Sequence, residues 1–593
     1  MQYPNLNEIP SQKLWTEQFT GLDRRPRTYD GSFDAMGNVT GEPWPLLSSR
    51  GKRGVVAEAE APLDMAALGK LCWIDGSTLY YNGAATPITG LSTAQDMLPK
   101  RLVTMGAYII VFPDGAYYNT ADNTDYGTIN RLWSSSGNVS YSLCTMDGID
   151  YPSGSVTVSN TAPANPSQGD YWINTAAEPH AMYQYNDLYE EWVGISSVYV
   201  KISAANIGNG IKAGDGVTIS GISYTGSNQT LKKQLESLNE TSVVQAAGTN
   251  YIVMIGLIDA GYTQTGGTVR ADRKIPKLDH VIECNNRLWG CRYGTEGTEF
   301  VNRIYASALG DFKNWRKYNG TSMDSYFVNV GTDGPFTGAV NHRGYPYFFK
   351  EDCVHRIFGE TPSNFQTQTT LCDGVQKGSE KTMIPYNGAL YYLGRHGVQR
   401  FESLPENIGK PLGEGKLSGG AAGECGGVYY LSAQEEDGQY SLYTFNLERQ
   451  QWHRQDDSHA IAFAALDGEM YMLKAGGQVI ALNGKAGTPE AGNIVWFAET
   501  APMGYEYPEH KYLSRFVIRI RLGEHATCQI KAQYDGDGIW HDKGTLHGKN
   551  KVRTYTVPIV PRRCDFMKVR LEGRGDMRLY GLARELTIGS DGR

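Results

Sequence analysis

No stretch of this 593-residue chain approaches the roughly 18 consecutive apolar residues that a membrane helix needs; the longest candidate is Tyr108–Phe112. Membrane insertion is therefore not expected. The N-terminus, Met1-Gln2-Tyr3-Pro4, has neither a basic n-region nor an apolar h-region, so no secretory signal is expected. The nine cysteines run from Cys72 to Cys564 without a CxxC, and the closest pair is Cys284 and Cys291. An odd number at such spacing argues for reduced, buried thiols and against a disulfide framework or a zinc site. There is no GxSxG, HExxH, Walker loop or dinucleotide fingerprint. Asp535-Gly536-Asp537-Gly538-Ile539-Trp540 has the look of a calcium loop but lacks the closing bidentate Glu, and reads as an Asp-bearing β-turn. A net charge of -8 gives no support to a protein that wraps phosphates.

What the chain has in abundance is glycine, 70 residues, and tyrosine, 38 residues. Glycine supplies the positive φ of tight turns and aromatics suit pleated surfaces, so many short strands are expected. A Gly turn followed by an aromatic strand recurs: Leu79-Tyr80-Tyr81, Tyr108–Phe112, Leu288-Trp289, Tyr347-Phe348-Phe349, Leu390–Leu393, Tyr429-Tyr430-Leu431 and Met470–Leu473. Apolar residues run together in these copies instead of alternating, the mark of strands covered on both faces. With Tyr80, Phe112, Trp289, Phe348, Tyr391, Tyr429 and Tyr471 as equivalents, most intervals are about 32 to 43 residues, the length of a four-stranded propeller blade. Phe348 follows Trp289 by about 59 and Trp289 follows Phe112 by about 177; removing an insertion of about 140 residues restores the latter to one blade.

The fold expected is all-β: a six- or seven-bladed β-propeller with an inserted small β domain and a C-terminal β-sandwich. Its expected parts are an extended N-terminal arm over 1–60, blades over 61–136, inserted β modules over 137–276, further blades over 277–504 and the sandwich over 505–593. Helix is expected only around Thr230–Leu238, where Leu231, Leu235 and Leu238 share a stripe. From Lys511 to Leu522 apolar and basic residues alternate with the period of a half-buried strand. Residues 505–593 carry 17 Lys/Arg against 11 Asp/Glu, so a basic end sits on a body of net charge -14. Docking between unlike surfaces of neighbouring copies and a merely solvated strand face are both consistent with that imbalance.

Two chemistries are weighed. In the first part of the insertion, Gly169-Asp170-Tyr171-Trp172, Tyr183-Gln184-Tyr185 and Trp192 resemble small aromatic β modules of phage tail proteins, related in pattern to carbohydrate-binding modules. Trp172, Tyr183 and Trp192 are the candidate glycan contacts, although a module of about 55 residues also needs such rings for its own core. Propellers also host glycosidases with paired carboxylates at the channel mouth. The candidates Glu351, Asp352, Glu402 and Asp311 each fit an ordinary solvated turn, so an enzyme is not expected, and neither is a cofactor or a metal.

Three stretches together resemble the tail tubular protein B, or tail-hub nozzle, family of short-tailed bacteriophages. They are Gly21-Leu22-Asp23-Arg24-Arg25-Pro26 with the segments 31–40 and 45–50; Asn286-Arg287-Leu288-Trp289 with 304–315; and 349–359. The resemblance covers the propeller and arm, not the insertion. It implies a homo-hexameric ring in the virion tail, made in the host cytoplasm, below a tail adaptor or gatekeeper ring and near tail fibres. Double-stranded DNA would pass transiently and without sequence preference through the lumen, and an acidic wall would let it slide. Arg24, Arg25 and Arg50 are then the candidate ring or adaptor contacts. The alternatives kept are a glycan-contacting tail adhesin and, third, a polysaccharide-degrading propeller.

Overall fold

The computed structural model describes residues 11–26, 30–88, 90–93, 99–152, 154–318, 320–504, 511–560 and 562–588. Among them the regular elements are strands, apart from the helix Gln229–Glu236 and the short turn Lys410–Leu412. Asn228 caps that helix through its side chain, and Leu231, Leu235 and Leu238 are buried as their spacing predicts.

Seven sheets form a closed ring, six of four strands and the seventh with Thr488–Pro489 as a short fifth. They begin with the strands Pro62–Leu68, Arg101–Met105, His280–Cys284, Gly338–His342, Ile384–Tyr386, Ser418–Cys425 and Ala460–Leu466, which face the axis. In the seventh blade, Ala460–Leu466, Glu469–Lys474 and Gln478–Ala481 are completed by Gly54–Glu58 from the other end of the chain. Closure therefore joins the two ends of the propeller by main-chain hydrogen bonds and leaves no long inner edge. Second strands such as Tyr345–Phe349, Ala389–Gly394 and Val428–Gln434 are buried nearly throughout, because blades cover both faces. Tyr80 is out of step with the other anchors. It lies on the third strand of the first blade, and Trp73 on the second strand is the equivalent; the two rings stack at 5.4 Å. The long interval before Phe348 comes from the 307–325 loop, which sends Phe312 and Trp315 into the core between the second and third blades. The buried Arg287 pins that loop by donating to the carbonyls of Ser307, Ser322 and Asp324.

The described residues among the first 60 do not form a free extended arm. Ser11–Thr16, Val39–Thr40 and Leu47–Ser49 join Lys511–Leu522, Val552–Val557 and Met577–Ile588 in one sheet of the terminal sandwich. Gly21–Leu22 and Ser32–Gly37 join Val495–Thr500, Thr527–Tyr534, His541–His547 and Met567–Arg574 in the other. The arm lacks a period of its own because its strands are short and borrow their partners from the far end of the chain. Val495–Thr500 already belongs to the sandwich, and the expected boundary at residue 505 lies outside the described residues. The sandwich seats on blades five and six through Phe19, Phe33, Tyr391, Tyr429 and Trp452. Gly21, at φ +88°, is required there: a Cβ would stand 2.3 Å from the Trp452 carbonyl oxygen.

The insertion is nested, not tandem. Val139–Cys144 pairs with both Tyr199–Ser203 and Tyr262–Gln264, so one domain spans 139–272, and the aromatic module of 156–194 interrupts it. The domain rests on the third blade: Asn314 donates to the Gly214 carbonyl at 2.8 Å, and a Cβ on Gly216 would meet the Arg316 carbonyl oxygen at 2.3 Å.

Candidate functional surfaces

The propeller axis is occupied. The segment before the fifth blade, 376–382, folds over the channel mouth. The main-chain N–H of Ala422 in the sixth blade donates to the Lys381 carbonyl, and the Tyr429 hydroxyl donates to that of Thr382 at 2.9 Å. From there Lys381 reaches the first blade, where its ammonium lies 2.6 Å from Asp64 Oδ1 and 3.3 Å from the Leu63 carbonyl oxygen. Asp64 also accepts the Leu102 N–H of the second blade at 2.8 Å. One buried carboxylate thus ties three blades together, with its charge matched by an ammonium.

Beside this plug lies a cleft of about 350 Å³ lined by Lys100, Arg101, Asp279, His280, Lys377 and Glu380 among others. Asp279 is committed to Arg292 at 2.7 Å and to the Tyr293 N–H. Burial, with Arg101 nearby, pushes the His280 imidazole below its ordinary value. Glu380 is the other carboxylate of the lining. Next to the cleft, Lys350 is fully buried, donates to the carbonyls of Thr332 and Asp333, and faces the Phe336 ring at 4.7 Å; burial lowers its pKa.

The carboxylates singled out in the sequence are not at this mouth as a pair. Glu351 and Asp352 sit in a turn of the fourth blade, where Glu351 accepts the Lys377 N–H at 3.3 Å. Glu402 pairs with Arg400 in the fifth blade, and Asp311 caps its own turn by accepting the Lys313 N–H. Asp535 and Asp537 likewise accept turn N–H groups, those of Asp565 and Ile539. Among the described residues no group of three or more His, Cys, Asp or Glu is placed to hold a metal. All nine cysteines are free thiols, seven of them buried.

In the nested module, register puts Trp172, Tyr183, Tyr185 and Trp192 on one sheet face. Trp172 is buried: it stacks on Tyr183 at 5.2 Å, meets Trp192 edge-on at 5.6 Å and donates its indole N–H to Ser159. Tyr183 and Trp192 are half-buried and keep ring surface outward. Ile173 and Met182 fill the opposite face. The three candidate rings are therefore assembled together, Trp172 as core and the other two as the surface available to a ligand.

Of the three arginines, Arg24 lies 3.3 Å from the Tyr443 hydroxyl and 3.7 Å from Glu435, docking the N-terminal segment on the sixth blade. Arg50 is paired with Glu490. Arg25 pairs locally with Asp23 at 2.6 Å and remains the most exposed of the three. Two features had no signal in the sequence. The Lys381–Asp64 pair joins residues 317 positions apart. The tip of the module hairpin, Leu188-Tyr189, is an acid-flanked apolar pair whose exposure only the fold reveals.

No family model matches the chain, and no curated protein matches it. Solved structures do. An exo-β-1,3-galactanase from Phanerochaete chrysosporium, bound to galactose, is 10% identical over 51% of this chain and 95% of its own, with a TM-score of 0.21. BamB from Moraxella catarrhalis is 10% identical over 75% and 97%, with a TM-score of 0.27. A family 43 glycoside hydrolase engineered for endo-xylanase and exo-arabinofuranosidase activity is 9% identical over 52% and 97%, with a TM-score of 0.20. The fold is an all-β propeller. The expectation that the chain is not an enzyme is corrected here: glycoside hydrolases stand among the structures it is similar to, so missing motifs do not exclude catalysis. At these TM-scores the likeness assigns no reaction.

Proposed function

We propose that the chain is a ring-forming component of a short-tailed bacteriophage tail, a nozzle or hub protein below the portal–adaptor complex. The observation that carries this reading is the placement of the appendages. The insertion leaves the ring between blades two and three, and the sandwich seats on blades five and six, so a closed rigid ring bears an interaction module on each of two opposite edges. Such a molecule is shaped to be one link among copies of itself. Because 376–382 plugs the propeller axis, DNA would pass between copies and not through a propeller. Six copies, a gatekeeper ring above and tail fibres beside complete the proposal, with the acidic body facing the lumen. Imaging of the purified protein tests it: a six-fold ring with an opening wide enough for duplex DNA is expected. A monomer, a trimeric spike or a strongly basic lumen would overturn it.

A second reading, glycan contact, is favoured by the outward rings of Tyr183 and Trp192. Its test is retention of the chain on host surface polysaccharide, lost in Trp192→Ala. A third reading, polysaccharide cleavage, would be tested by release of reducing ends, lost when Glu351 or Asp352, or Glu380 of the cleft, is neutralised.

A further inference from the structure

The outer face of the sandwich is built as a receptor for charge. On Lys511–Leu522, Leu513, Phe516, Ile518, Ile520 and Leu522 point into the core, while Arg515, Val517, Arg519 and Arg521 point out. The adjacent strand Met577–Ile588 adds Arg578, and Ser11–Thr16, paired to the far side of that strand, adds Lys13 and Trp15. Lys13, Arg515, Arg519 and Arg578 are exposed, and none has a carboxylate within ion-pair distance among the described residues. Arg578 stands directly opposite Arg521 in the register, a like-charge pairing that by itself destabilises a sheet. Arg521 reaches Asp576 at 3.1 Å, and Glu585 stands opposite both Arg515 and Lys13 in the register without reaching ion-pair distance of either, so cations outnumber carboxylates on the face. At the centre Trp15 lies across Gly581, where a Cβ would meet its ring at 2.7 Å, with Arg519 5.9 Å from the ring. Trp15 is 43% exposed. A flat indole rimmed by guanidinium groups is the composition of an interface centre.

The counterpart is on the opposite edge of the same molecule. The hairpin between Ala181–Asn186 and Glu191–Gly194 presents Leu188, 81% exposed, and Tyr189, 67% exposed, at its tip. Asp187, Glu190 and Glu191 flank them, all exposed and none ion-paired among the described residues. Apolar centre and charged rim thus match those of the sandwich face with the sign reversed. The two surfaces lie three blades apart on a seven-blade ring and cannot meet within one molecule, whereas a face and a knob on opposite edges generate head-to-tail contacts.

We infer that the hairpin tip 187–191 of one copy docks on the Trp15–Arg515–Arg519–Arg578 face of the next, making the repeated contact of the ring. This rests on the ring reading above and names its contact. Two variants test it, one Asp187→Lys with Glu190→Lys and Glu191→Lys, the other Arg515→Glu with Arg519→Glu. Both alter exposed side chains, and circular dichroism melts should overlay the wild type. Each alone should lose assembly by at least about tenfold in concentration. Mixed one to one they should assemble again in alternation, since the unaltered knob meets the unaltered face and the reversed knob meets the reversed face. Placing both sets in one chain should restore the ring. Wild-type-like assembly of either variant, or a mixture that stays monomeric while the wild type assembles, would overturn the contact and leave the ring reading standing. A wild type that stays monomeric at every concentration would remove the ring and the contact together.

Discussion

Lys381 and Asp64, 317 positions apart in the chain, meet at 2.6 Å between blades five and one, the largest separation that a seven-blade ring allows. Asp64 is the more deeply buried partner. Lys381→Met should leave its carboxylate uncompensated and cost about 3 kcal/mol in urea unfolding, whereas Lys381→Met with Asp64→Asn should cost clearly less than the sum of the two single changes. Additive losses would show that the pair is not coupled.

His342, His355 and His453 are buried, and burial, the largest cause in each, pushes their imidazoles down to about 4. In the unfolded chain they titrate near the ordinary value of about 6.5. Between these values the unfolded state binds more protons, so stability is full above about 6.5, falls as pH drops towards 4, and each group contributes about 1–3 kcal/mol to the loss. Thermal melts across that range measure it. His453→Gln should flatten the fall, and an unchanged profile would contradict the assignment.

Trp172 and Trp192 share a face but not a role. Trp172→Ala should destabilise the nested module by about 3–5 kcal/mol and expose 156–194 to limited proteolysis. Trp192→Ala should cost less, and Leu188→Ser, at the exposed tip, should stay within about 0.5 kcal/mol. Equal proteolytic sensitivity of all three would mean that the rings do not divide as described.

Removing residues 1–49 should leave the propeller intact and cost the sandwich its borrowed strands; removing 1–59 should open the ring as well, by taking Gly54–Glu58 from the seventh blade. Hydrogen exchange on Gln478–Ala481 separates the cases: protection persists in the first and is lost in the second.

The propeller was legible because blades bury their second strands on both faces, which writes each as an aromatic run between Gly turns. Tyr80 misled by one strand because Trp73-Ile74 and Leu79-Tyr80-Tyr81 are adjacent runs of the same character. The N-terminal strands were not legible as such. Ser11–Thr16 gains its order from Met577–Ile588, and a two-sheet pairing across the whole chain leaves no local period. Trp172, Tyr183 and Trp192 were visible as a group, but which ring is core and which is surface depends on the Trp172–Tyr183 stack. Arg24 and Arg50 read as free contacts because Glu435 and Glu490, their partners, lie more than 400 residues away.

The sandwich interleaves the earliest and latest strands of the chain, and Trp15 faces Arg519 only when both are present. During synthesis, then, the strand that seals the seventh blade emerges first and waits for a partner made some four hundred residues later. If copies join as proposed, prematurely ended products would carry the acidic hairpin without the basic face, and would cap a ring without extending it.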